Sequence, residues 1–127
     1  MPKVAPKTQD AYLYDMLEAA RLIQGYLAGV SYEEFWHNNE KRDAVSLRIS
    51  VLGESAHKID QATEAAVPGL PFKGLRGMRN HIAHDYGAVD FKIVWAVTQE
   101  EVEPLIAALE AYFKGRPPRI QPQPGQE

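Results

Sequence analysis

Apolar residues recur at helical spacing through most of the chain. Leu13, Met16, Leu17, Ala20, Ile23 and Leu27 share one face at the helical period, which predicts a helix from about Gln9 to Ala28 that Gly29 ends. Ser31 followed by Glu34 has the spacing of a capping box, in which hydroxyl and carboxylate each satisfy a free backbone donor. The short helix it opens carries Tyr32, Phe35 and Trp36. Val45, Ile49, Leu52, Ala56 and Ile59 predict a second long helix from about Glu40 to Ala65, which tolerates Gly53 at a modest cost and breaks at the VPGLP stretch. Pro71 opens a third helix through Leu75, Met78 and Ile82, which runs out near Gly87. Asp90 can cap the last helix, whose stripe is Trp95, Val102, Leu105, Leu109 and Phe113. Pro104 falls inside that stripe and either kinks the helix or marks the first turn of a fresh one. No period of two and no internal repeat competes, so the expected fold is all-α: an antiparallel bundle of four main helices plus one short helix.

The prolines sharpen the boundaries. Six of the nine lie at the ends, Pro2 and Pro6 in front and Pro117, Pro118, Pro122 and Pro124 behind. The sequence therefore divides into an N-terminal tail (1–8), a helical domain (9–114) and a Pro-rich C-terminal tail (115–127) that offers a core only Ile120, with both tails expected to be extended or disordered. With 127 residues and 45% hydrophobic content, one core is expected, and the absence of cysteine excludes disulfide scaffolds and thiolate chemistry. The balance of 14 Lys+Arg against 17 Asp+Glu argues against non-specific coating of nucleic acid, yet leaves room for a local basic cleft. No apolar run reaches the roughly 20 residues of a membrane span, and MPKVAPKTQD lacks the apolar stretch of a secretory signal, so a cytoplasmic protein without a membrane partner is expected.

The chemically informative stretch runs from Lys73 to Tyr86. Up to Asp85 it holds Lys73, Arg76 and Arg79 against a single carboxylate, the reverse of the overall balance. Arg79 supplies a planar fork of donors suited to a phosphate, and His84 is the side-chain type that exchanges a proton near neutral pH. Five residues of regular helix leave the two about 140° apart. They converge if the helix unwinds after Ala83 or if the cleft lies where two copies of the bundle meet. Asn80 could hold the histidine tautomer or donate to a substrate oxygen, and Tyr86 returns almost to the arginine's face. The same residue types also serve simply to satisfy a helix dipole and its terminal carbonyls, and spacing alone does not choose between the two roles.

A resemblance does favour one. RGMRNHIAHDY, the upstream VLGESAHKI and the downstream VDFKIVWAVTQEEVEPLIAAL resemble the HepT-like branch of the HEPN superfamily, small all-helical toxins of toxin–antitoxin pairs; the likeness runs from about Asp10 to Phe113. The family signature, an arginine followed by four to six residues and a histidine, with Asn after the Arg and Tyr two after the His, falls on Arg79, Asn80, His84 and Tyr86. The resemblance implies a metal-independent, cofactor-free endoribonuclease toxin of a type II/VII-like pair. It further implies a homodimer whose signature helices line one cleft, and a cognate nucleotidyltransferase antitoxin that transfers AMP to Tyr86. The alternative is a non-catalytic nucleotide- or substrate-binding partner of a nucleotidyltransferase.

In the enzyme, the RNA 2′-hydroxyl is the nucleophile, His84 the general base and Arg79 the stabiliser of phosphorane charge, with Asn80 and Tyr86 in support. Lys73 and Arg76 are expected to form a positive rim for the RNA backbone, and the extra imidazole of His81 is read as a solvated helix residue. Glu54 with His57, and Glu34 with His37, also fit the Glu-x-x-His spacing of di-metal bundles, with Glu18 and Glu101 as further carboxylates, but Glu34 and His37 lie on the short helix and Glu54 and His57 are read instead as polar core or interface groups. Tyr12, Phe35, Trp36 and Tyr112 are candidates to cover a second bundle.

Overall fold

The computed structural model describes residues 7–84 and 86–115, together with the backbone but not the side chain of Tyr86. The tail expectations for residues 1–6 and 116–127 therefore lie outside the described residues, as does any contact of the Tyr86 phenol. Helix α1 (Gln9–Leu27) starts where the Thr8 hydroxyl accepts from the Ala11 N–H at 3.0 Å, and ends ahead of Gly29, whose φ of 73° is the left-handed backbone that glycine adopts freely. Helix α2 (Tyr32–Trp36) starts at Ser31, whose hydroxyl accepts from the Glu34 N–H at 3.1 Å. The predicted box is half made, because the Glu34 carboxylate takes the Ser31 hydroxyl (3.3 Å) rather than a backbone donor.

The second long helix is two helices. Helix α3 (Asn39–Lys58) stops at Ile59, and α4 (Gln61–Ala66) begins two residues later, after Asp60. The cause is Asp60, whose carboxylate accepts from the Thr63 N–H at 2.8 Å and so starts a new helix. The Gln9 side chain clamps the break, donating to the Lys58 carbonyl and accepting from the Asp60 N–H, both at 2.9 Å. The Thr63 N–H bond holds the Asp60 carboxyl below its ordinary value. A carboxylate whose pKa is lowered by folding stabilises the fold above its ordinary range and loses that contribution as pH falls through it. Asp60→Ala is thus expected to melt lower than the parent at neutral pH, with the gap closing below the usual carboxylate range. A pH series of thermal melts checks this, and a gap that persists in acid would contradict it.

Helix α5 (Phe72–His84) follows Pro71, whose carbonyl accepts from the Leu75 N–H at 3.0 Å. A 3₁₀ turn (Tyr86–Ala88) then leads to α6 (Phe91–Glu100), capped by Asp90, and α7 (Val102–Phe113). Pro104 sits in the first turn of α7, where its missing N–H costs no helical bond, so the chain breaks at Glu101 rather than kinking.

In the bundle, α3 packs against both α1 and α5, and α1 packs in turn against α7. Leu13, Met16, Ile23, Ile49, Leu52, Leu75 and Leu105 are almost wholly buried, each contributing about 1.5–3 kcal/mol by burial. Phe35 is fully buried, with ring centroids 5.2 Å from Trp95 and 6.4 Å from Phe91, so it anchors α2 to its own core rather than covering a second bundle. Trp36 is 40% exposed, Tyr12 is half-buried, and the half-buried Tyr112 donates its hydroxyl to Asp10 at 2.6 Å. Among the described residues no helix is long and apolar enough to cross a membrane.

Candidate active site

Helix α5 is built to show one face to α3 and another to solvent. Phe72, Leu75, Met78 and Ile82 are buried, while Lys73, Asn80, His81 and His84 are exposed. Gly53 sets how closely the two helices approach. A Cβ at Gly53 would run into the Arg79 Cβ and lie 2.6 Å from the Leu75 carbonyl oxygen. Helix α3 therefore accepts α5 at this level only because residue 53 has no side chain, and the stem of Arg79 rises directly from that contact.

The guanidinium is held at both ends. Its Nη2 pairs with the Glu54 carboxylate, and its Nη1 donates to the Asn80 side-chain oxygen at 3.3 Å. Asn80 is thus tied to Arg79 rather than to the histidine. That leaves its amide N–H₂ to donate elsewhere. His84, the last residue of α5, is exposed and has no hydrogen-bond or ion-pair partner among the described residues.

The α-helix persists through His84, and the change of winding comes only with the 3₁₀ turn at Tyr86. Unwinding after Ala83 therefore does not bring Arg79 and His84 together. On one chain they remain about 140° apart around α5, Arg79 at the edge that packs on α3 and His84 on the exposed face, with about 7.5 Å of rise between them.

Of the other cations, Lys73 is exposed on α5. Arg76 is spent largely on the fold: Nε donates to the Ala56 carbonyl at 3.0 Å, Nη1 meets Glu64 at 3.4 Å, and the guanidinium lies 5.7 Å from the centroid of the Phe72 ring. His81 is exposed, and its Nε2 accepts from the Asp90 N–H at 3.4 Å, a contact that links α5 to the start of α6. The Glu-x-x-His carboxylates are used differently: Glu54 pairs with Arg79, and Glu34 takes the Ser31 hydroxyl. Among the described residues no three His, Asp or Glu side chains gather as metal ligands. The sequence offers Glu54 as a polar core or interface group or as part of a metal motif, not as the partner of Arg79. Its signal was the Gly53-Glu54 pair, a missing side chain followed by a carboxylate one step around the helix.

A fixed guanidinium and an open imidazole on one helix define the class: an all-helical bundle with a candidate phosphate-handling site. The chain belongs to the HepT-like ribonuclease family, whose model, described as "Ribonuclease HepT-like", matches residues 16–112. It is 35% identical over 104 residues to "Putative RNase MJ1216" of Methanocaldococcus jannaschii, covering 82% of this chain and 86% of that protein. It is 32% identical over 92 residues to "Putative RNase MJ1380" of the same organism, covering 72% and 84%. To "Probable ribonuclease HepT" of Thermococcus cleftensis it is 26% identical over 103 residues, covering 81% and 94%. No solved structure matches the chain.

Proposed function

We propose that the chain is a metal-independent endoribonuclease that works as a homodimer and is the toxin of a type II/VII-like toxin–antitoxin pair. The observation that carries this reading is a contrast on α5 of a HepT-like family member: Arg79 is half-buried and held, whereas His84 is exposed and without a partner among the described residues. RNA brings its own nucleophile, so the protein has only to move a proton and stabilise charge. His84 takes the proton of the 2′-hydroxyl as that oxygen attacks phosphorus. The P–O5′ bond breaks and the leaving oxygen takes up a proton, giving a 2′,3′-cyclic phosphate and a 5′-hydroxyl. Arg79 faces the phosphorane charge, and Lys73, with Arg76 on the flank, steers the RNA backbone.

With Arg79 at the α3 edge of α5 and His84 on its exposed face, the proposed cleft lies where two copies of the bundle meet, so that the arginine of one copy serves the histidine of the other. Alongside α5, α3 carries Leu47, which at 58% exposure is the barest large hydrophobic residue among those described, and a second copy covers it. Leu47→Glu is expected to shift the protein from dimer to monomer in light scattering and to lower cleavage at least about tenfold, with the helical circular dichroism intact. A Leu47→Glu dimer of full activity would remove this face from the interface.

A nucleotidyltransferase antitoxin silences the enzyme by moving AMP from ATP to the Tyr86 hydroxyl, with pyrophosphate leaving. The added bulk and negative charge then repel substrate phosphate. The decisive experiment is incubation of the purified protein with RNA in EDTA. Cleavage should leave cyclic-phosphate ends and should stop when the nucleotide at the cut carries a 2′-deoxyribose. Products with 3′-hydroxyl ends would overturn the mechanism, and an inert protein would put the non-catalytic partner of a nucleotidyltransferase ahead.

A further inference from the structure

Arg79 meets α3 in a way that the ribonuclease reading does not by itself require. The ion pair with Glu54 is half in solvent, with side chains 34% and 50% exposed, and such pairs add little to stability. Its setting is more specific than that of an ordinary surface pair. Gly53, the residue before Glu54, removes the side chain that would otherwise push the Arg79 stem away. The carboxylate then takes Nη2 while Asn80 takes Nη1, which fixes the plane of the guanidinium from two sides. A guanidinium has five N–H donors, so these two contacts leave enough for a bidentate grip on a phosphate.

Resting on the ribonuclease reading for its substrate, we infer that Glu54 is a positioning residue: it holds Arg79 in the orientation that presents its remaining donors to the scissile RNA phosphate. A long side chain fixed before the substrate arrives loses less freedom when it engages the transition state, and a displacement of about 1 Å can cost a hundredfold. The effect belongs in kcat rather than KM, because the charge that Arg79 meets grows as the reaction proceeds.

The test combines kinetics with a direct view of the arginine. Glu54→Ala is expected to lower kcat about tenfold or more with KM within about twofold, and Glu54→Gln, which keeps an acceptor for Nη2, to recover most of the loss. In an Arg79→Ala background, Glu54→Ala should cost nothing further, since the two act through one group. The ¹⁵N-resolved Nε–H signal of Arg79 should be sharp and slow to exchange in the parent and lost in Glu54→Ala. Equal losses in both backgrounds, faster cleavage by Glu54→Ala, or an unchanged Arg79 signal would each overturn the assignment. A parent protein that cleaves no RNA but shows the signal change would retain the positioning and discard the ribonuclease reading.

Discussion

Replacing His84 with alanine is expected to reduce RNA cleavage by about a hundredfold to ten-thousandfold while moving the melting temperature by only a few degrees. The size is that of a well-placed general base. The small stability cost follows from the position: His84 ends α5, is exposed and has no partner among the described residues, so its removal leaves neither cavity nor orphaned group. Alanine also suits a helix better than histidine, so the end of α5 is not weakened by the change. Arg79→Ala is expected to fall in a similar range, about a hundredfold to a thousandfold, as for loss of one group that stabilises developing negative charge. It should also lower the melting temperature slightly, because Glu54 loses its counter-charge. In the proposed mechanism both residues serve one chemical step, so the double variant should be little slower than the slower single. Single-turnover cleavage in EDTA is the measurement. Equal rates for parent and both variants would assign the activity to a contaminant.

Gly53→Ala is expected to damage the enzyme despite being, on an isolated helix, a favourable change. Glycine to alanine in a helix interior gains up to about 1 kcal/mol. Here the new methyl group would overlap the Arg79 Cβ and press on the Leu75 carbonyl oxygen, 2.6 Å away, so α5 has to move off α3. Forcing an extra carbon into a closed contact costs about 1–3 kcal/mol, which outweighs the gain. The shift is centred on the arginine, so cleavage by protein that is still folded should fall further than the melting temperature suggests. Thermal melts alongside cleavage rates check this; a variant that melts higher than the parent and cleaves normally would show the helices to be free to separate.

Much of this architecture is legible in the pattern of apolar positions, because buried stripes at helical spacing survive whatever the loops do. Residues that start helices were harder to place. Asp60 looks like any polar residue within a helical stripe until its carboxylate is seen to cap Thr63 and split the predicted helix in two. Pro104 left two outcomes open, and the chain takes the fresh helix, with the proline in its first turn where no helical bond is lost. At the site, the signature positions could be named in advance, but their partners could not. Asn80 turned to its neighbour Arg79, and the carboxylate that meets the guanidinium comes from 25 residues upstream, across a contact that depends on what Gly53 lacks. Nothing in a one-dimensional pattern records that two helices touch at one level rather than a turn higher.

The bond from Tyr112 to Asp10 joins residues 102 apart in the chain, at the seam where α7 lies along α1. During synthesis α1 emerges early and waits, one flank bare, for α7 to be made. The seam therefore closes only once translation has passed residue 112, and a chain interrupted before that point lacks a complete α7 and leaves that flank of α1 open to solvent.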